Sequence, residues 1–265
     1  MAATTTKGTY RLPATIRAID DVDRSGRWLS EGWRDFLKTP VISLVYGSAF
    51  VLLGYLLTYG LYVGGFSALM LPLGGGFIIL APILVVGLYD VSRRLETGGD
   101  VSLRDVFGAF GDSAGQLSAM GVALLVCFLV WVEVALILFM LFFSTTPPPL
   151  DQFLQDVVFS INGAPLLIIG SIVGAIFAAV VFSISAVSVP LIYDRPIDVI
   201  SAIIVSLAAV RLNFRVMFGW AALIVIVIVG GLVTALLGLA VALPVLAYAT
   251  WHCYRDVIEP AESSM

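Results

Sequence analysis

The chain reads as long apolar blocks divided by short charged stretches. No Asp, Glu, Lys or Arg occurs from Thr39 to Tyr89, from Val157 to Tyr193 or from Val216 to Tyr254, and Glu133 is the only one between Ser113 and Leu150. A helix needs about 20 apolar residues to cross a bilayer, so each block holds at least one span. The first block needs a turn within it. Gly60, Gly64 and Gly65 offer one, as do Pro72 and Gly74–Gly76. Spans are therefore expected at 41–60, 68–89, 115–143 and 164–190, with Pro165 placed at a helix start. The last block holds one long helix or two short ones turning near Gly230–Gly231 or Gly238. Two helices there bring the total to six.

The basic residues give the orientation. Seven, from Lys7 to Lys38, precede the first span; Arg93, Arg94 and Arg104 follow the second; Arg195, Arg211 and Arg215 follow the fourth; Arg255 follows the sixth. Together they are all 14 Lys and Arg of the chain, and the intervening loops have none. Positive residues stay on the cytoplasmic side, so six spans with both termini cytoplasmic are expected. Five spans would misplace only Arg255, so the rule alone leaves five open.

An amphipathic stretch precedes each odd-numbered span, and the three align on a glycine: "WRDFLKTPVISLVYG" at Gly47, "FGAFGDSAGQLSAMG" at Gly121 and "VSLAAVRLNFRVMFG" at Gly219. Leu29, Trp33, Phe36 and Leu37 share one helix face in the first; Leu103, Val106, Phe107 and Phe110 do so in the second; Ile200, Ile203, Ile204 and Leu207, expected to pack deeper, do so in the third. Basic helices bearing tryptophan lie in the membrane interface. The hairpins also end alike, at Tyr89–Asp90, at Tyr193–Asp194 and at "YRD", Tyr254 to Asp256. The fold expected is an all-α polytopic membrane protein of about six transmembrane helices in three hairpins, each preceded by an amphipathic interfacial helix. A disordered tail over 1–15 leads into one membrane domain, 16–256, with approximate repeats 16–90, 100–194 and 198–256, and 257–265 forms a second tail.

Two stretches, "WLSEGWRDFLKTPVISLVYG" (Trp28 to Gly47) and "SAVSVPLIYDRPIDVISAIIVSLAAVRLNFRVMFGWAALI" (Ser185 to Ile224), resemble the bacterial integral-membrane family called domain of unknown function 2189. The resemblance extends over about residues 17–256. It implies a bacterial inner-membrane protein of about six spans and no particular activity.

Composition agrees: 60% hydrophobic and 12% charged residues exclude an ordinary soluble domain. Cys127 and Cys253 make no disulfide framework. The polar stretch before Val41 does not read as a signal peptide. With His252 the only histidine, a haem–copper centre and a Ser–His or Cys–His hydrolase are not expected, and His252–Cys253 is only a fragment of a zinc site. Neither a phosphate loop nor a nucleophile elbow occurs. No cofactor or metal is expected.

Glu133 is the foremost candidate. An ionisable residue inside a span costs about 3 kcal/mol on insertion scales and usually faces a cavity or a partner. No span offers a Lys or Arg to pair with it, so a buried Glu133 would be neutral. It would then hydrogen-bond to a Ser, Thr or Tyr of a neighbouring span, or load a proton beside a water path. Second come Tyr89, Asp90, Tyr193, Asp194, Arg195 and Asp256, either closing each hairpin with local ion pairs or forming a polar ring at the cytoplasmic mouth. Asp90 has Arg93 and Arg94 near; Asp194 has Arg195 and, in space, Arg215. Gly170, Gly174 and Ala178, and likewise Gly230, Thr234 and Gly238, follow the small-residue spacing of close helix contacts. The stretch "TTPPPLDQFLQDVVFS" reads as a short outer-surface helix.

Two functional classes follow. One is a non-catalytic inner-membrane protein, an accessory, assembly or bilayer-organising part of a larger complex or a homo-oligomer, meeting anionic headgroups at its cytoplasmic face and no nucleic acid. The alternative is a proton- or cation-coupled transporter or channel using Glu133, though such proteins gather several polar residues near the midplane.

Overall fold

The computed structural model describes residues 13–66, 69–109, 111, 113–143, 161 and 163–260. The stretch 144–160, with the expected outer-surface helix, lies outside the described residues, as do 1–12 and 261–265. Among the described residues the chain forms α1 Arg24–Lys38, α2 Pro40–Val63, α3 Met70–Leu84, α4 Val86–Thr97, α5 Leu103–Gly108, α6 Ala114–Phe143, α7 Ala164–Ser185, α8 Ser188–Asp194, α9 Val199–Leu212, α10 Phe214–Val233 and α11 Leu239–Val257.

Local chemistry sets these limits. Pro40 and Pro165 sit in first turns, where a missing N–H costs nothing. Ser102 and Asp105 form a reciprocal capping box on α5, and Asp198 caps α9 by accepting from Ser201 N at 2.9 Å. The first hairpin turns at Gly64–Gly65, with Gly65 at φ +75°. Gly74–Gly76, the other candidate for this turn, lies inside α3, where Gly75 and Gly76 serve packing: a Cβ on Gly76 would fall 1.9 Å from the Phe128 ring.

Among the described residues, five stretches are long and apolar enough to cross a membrane: α2, Leu73–Thr97 through α3 and α4, α6, Ala164–Asp194 through α7 and α8, and α10. The chain is thus an integral, multi-pass helical membrane protein. The sixth expected span, α11, is not among the five, because its second half carries Tyr248, His252, Arg255 and Asp256. Its burial comes from protein instead. α11 packs against α1, α2, α4, α8 and α10, and every residue from Ala242 to Ala249 is buried.

Glycines let that packing happen. A Cβ on Gly47 would lie 2.0 Å from the Ala240 carbonyl, and one on Gly32 would lie 2.5 Å from the Val245 carbonyl. Pro244 has no N–H to give Ala240, so the carbonyl that Gly47 approaches lacks its usual helical donor. The glycine alignment across the three stretches does not share this role: Gly121 has nothing within 4 Å of its Cβ position, and Gly219 only Ser25 Oγ at 3.6 Å.

Two spans are broken near the same end, and hydroxyls mend both. α3 gives way to α4 at Val85, where the Tyr46 hydroxyl donates to the Leu84 carbonyl. Between α7 and α8, Ser206 Oγ accepts from Val187 N at 3.2 Å and donates to the Ser183 carbonyl at 2.8 Å. Pro190 leaves the Ala186 carbonyl without a helical donor there. The short helices beyond the breaks carry Tyr89–Asp90 and Tyr193–Asp194 into the core.

The core lies at this end of the bundle. Its largest fully buried side chains are Trp28, Trp220, Trp251, Tyr89, Tyr248 and Tyr254, whereas the spans expose Leu52, Leu56, Leu129, Ile137, Ile172 and Val229 along their lengths. The apolar stripes of α1 and α9 are divided between core and surface. α1 turns Ser25, Trp28, Gly32, Asp35 and Phe36 toward α11 and leaves Trp33 and Leu37 exposed; α9 buries Ala202, Val205, Ser206 and Ala209 and exposes Ile200 and Leu207. Small residues permit close helix contact, and large apolar ones are as comfortable against lipid as against protein.

Arg17 N donates to the Val257 carbonyl at 2.8 Å and Glu259 N to the Thr15 carbonyl at 3.1 Å, with an antiparallel bridge between Ile16 and Ile258. Thr15–Arg17 and Val257–Glu259 therefore pair with each other and belong to the fold.

Candidate functional site

The Tyr–Asp endings of the chain come together. Tyr193 Oη donates to Asp90 Oδ1 at 2.5 Å, and Tyr254 Oη donates to Asp194 Oδ2 at 2.6 Å. Asp256 closes the series by accepting from Trp28 Nε1 at 2.9 Å and from Arg24 through Nε and Nη2. Each carboxylate is thus held by an aromatic donor from another part of the chain. Tyr89, Tyr193 and Tyr254 surround the Trp251 ring at centroid distances of 6.3, 6.1 and 5.4 Å, and Trp251 Nε1 donates to Glu96 Oε1 at 3.0 Å.

Charge follows the same plan. Asp90, only 2% exposed, pairs with Arg93 at 2.8 Å and Arg94 at 2.7 Å, and the Arg93 guanidinium lies 4.8 Å from the centroid of the Tyr193 ring. Asp194 has Arg195 and Arg255 at 3.8 Å each; the expected Arg215 is not a partner. Burial opposes ionisation of Asp256, but Arg24, Trp28 and Arg17 together hold its carboxyl below the ordinary range. Asp198, exposed at its cap, is also lowered by the Ser201 hydroxyl and amide.

A second cluster went unread in the sequence. Asp35 is buried between α1, α4 and α11, where Ser92 Oγ donates to its Oδ2 at 2.8 Å and His252 Nε2 lies 2.8 Å from the same oxygen. His252 Nδ1 is 3.7 Å from Glu31. The serine gives its proton to the carboxylate, so no base activates it and the three groups do not form a hydrolytic triad. Cys253 is buried elsewhere, its Sγ 3.9 Å from Met217 Sδ, and shares no site with His252.

Glu133 stands apart from both. It is exposed on the outer face of α6, in line with Val126, Leu129, Val130, Ile137 and Met140, and has no hydrogen-bond or ionic partner among the described residues. The expected hydrogen bond to a neighbouring span is not made, because the side chain points away from the bundle. Of the small-residue series, Gly174 receives the Trp131 ring 3.2 Å from its Cβ position, while Gly170 meets nothing within 4 Å and Ala178 is exposed. Gly230, Thr234 and Gly238 are not a helix stripe: α10 ends at Val233, and Thr234 Oγ1 accepts from Gly238 N at 2.7 Å inside the turn to α11. The close contacts missed were Gly75 and Gly76 of α3, which face Trp131 and Phe128 of α6.

Residues 70–194, a little under half of the chain, match the family described as "Predicted integral membrane protein (DUF2189)". The DUF2189 segment runs from α3 through α8 and contains Asp90, Glu133, Tyr193 and Asp194. It leaves out Trp28–Gly47 and, beyond Asp194, most of the second stretch on which the resemblance was read. No curated protein and no solved structure matches the chain.

Proposed function

We propose that this chain is a non-catalytic component of the bacterial inner membrane, an accessory, assembly or bilayer-organising part of a larger complex. The observation that carries the reading is the outward face of Glu133. A carboxyl group directed into lipid costs about 3 kcal/mol on insertion scales, and the cost falls if a helix from another chain supplies a hydrogen-bond donor. The surrounding apolar stripe on α6 suits such a contact. The same placement speaks against a transporter built around Glu133, whose site would be lined by several spans near the midplane.

The polar groups of the other end support a structural role as well. Asp35, Asp90, Asp194 and Asp256 are each satisfied by partners from distant parts of the chain. We read this end as cytoplasmic from its arginines, with both termini there and anionic headgroups around Arg27, Arg34 and Lys38 of α1. α10 and α11 then form a third, shallower hairpin: the chain runs back along α2 from Ala235, in the turn before α11, beside Tyr55, to Tyr248 of α11 beside Ser43. Only about ten residues, some 15 Å, of α11 lie beside that span, which accounts for a sixth segment too polar to cross alone. Comparing the complexes of native and Glu133-substituted protein tests the reading.

A further inference from the structure

Beyond the four satisfied carboxylates, the basic end has an open cleft of about 610 Å³ between α4, α5, the start of α6 and the end of α8. Arg93, Arg94, Arg104 and Arg195 all line it, against three carboxylates, Asp90, Asp105 and Asp194. The carboxylates are already engaged. Asp90 accepts from Tyr193, Arg93 and Arg94; Asp105 accepts from the Ser102 amide and hydroxyl and has Arg94 Nη2 at 3.3 Å; Asp194 accepts from Tyr254 and has Arg195 and Arg255 at 3.8 Å. Arg94 thus bridges Asp90 and Asp105, yet the paired arginines still line the open cleft. Arg93 and Arg94 remain 42% and 37% exposed, and Arg104 is exposed with no carboxylate partner among the described residues. Gly111 and Ser113, just ahead of the 30-residue helix α6, line the same cleft and add the positive end of its dipole.

We propose that this cleft binds a phosphate-bearing anion. Several guanidinium forks converging from different helices match the oxygens of a tetrahedral, multiply charged group better than a single planar carboxylate. The Asp90, Asp105 and Asp194 partners fix Arg93, Arg94 and Arg195 in place, so little side-chain entropy is lost on binding, while Arg104, which forms no ion pair among the described residues, supplies a further positive charge. The phosphate comes either from an anionic lipid headgroup or from a soluble phosphate, and both present the same chemistry. The lipid source rests on the reading of this end as the one that meets headgroups.

The experiment uses the full chain in nanodiscs of zwitterionic lipid, open on both faces. Inorganic phosphate is titrated in one arm and short-chain phosphatidylglycerol in the other, with heat of binding and thermal unfolding as readouts. Saturable binding is expected, weakened about tenfold or more in Arg104→Gln, and unchanged in Arg34→Gln, a basic residue outside the cleft. Binding of inorganic phosphate marks the phosphate group itself as sufficient; binding of phosphatidylglycerol alone marks a headgroup site. Absence of saturable binding in both arms overturns the proposal, and so does equal binding by Arg104→Gln and Arg34→Gln. Neither failure bears on the Glu133 contact, which is on another face and is read by complex size.

Discussion

Tyr193 and Asp90, 103 residues apart in the chain, share a hydrogen bond of 2.5 Å at the centre of the packed end. The pair ties the short helix after one broken span to the short helix after another. Tyr254 does the same for Asp194, and Trp28 for Asp256. Three links of one kind, each between a carboxylate and an aromatic donor from elsewhere in the chain, hold this end together.

Removing one donor should therefore weaken the fold without emptying the core. Tyr193→Phe keeps the ring against Trp251 and beneath Arg93 but leaves Asp90 short of a donor. Hydrogen bonds to charged groups contribute about 1.5–3 kcal/mol, so a loss of this size is expected for Tyr193→Phe and for Tyr254→Phe. Unfolding in mild detergent measures it, and unchanged midpoints for both would remove the links from the account.

Gly47 and Gly121 should behave oppositely. Gly47→Ala puts a methyl group against the Ala240 carbonyl, and backbone cannot yield as a side chain does, so a loss of about 1–3 kcal/mol or more is expected. Gly121→Ala meets open space inside α6 and should be neutral or gain up to about 1 kcal/mol from helix propensity. The yield of folded monomer and its unfolding midpoint read both.

Acid should reach the Asp256 link. Its folded pKa is lowered, so the unfolded chain binds the proton first and the link contributes fully above the ordinary carboxyl pKa of about 4. The contribution is lost as pH falls through the lower, folded value. Asp256→Asn should be less stable than the native chain at neutral pH, by about 1–2 kcal/mol, with the gap closing below about pH 4. A gap independent of pH would contradict the assignment.

Much of this was legible in the sequence, and the reasons differ by feature. Spans follow from uncharged length, so α2, α6 and α7 lie where the apolar blocks place them. The recurring Tyr–Asp endings pointed to one end of the bundle, because an aspartate at a helix C-terminus opposes the dipole and needs a partner. Their partners were out of reach: nothing local marks Trp28 or Trp251 as the residues that receive them. The apolar stripes of α1 and α9 did not tell which residues meet protein, since large apolar side chains suit lipid as well as core. Trp33 and Leu37 face out while Gly32 and Asp35 face in. Asp35, Ser92 and His252 lie on three helices and gave no motif, only three polar residues at their spacing. Glu133 was found by its isolation, but a lone acid in an apolar run does not say which way it points.

That direction carries the functional reading, and one measurement tests it most directly. Native and Glu133→Leu proteins are extracted from their own membrane in mild detergent, sized, and identified by mass spectrometry with their stoichiometry, alongside unfolding of each. The account predicts that the native chain elutes in a larger assembly of fixed stoichiometry, and that Glu133→Leu elutes alone with an unchanged unfolding midpoint. A native chain that elutes alone, or an assembly that survives the substitution intact, would contradict it.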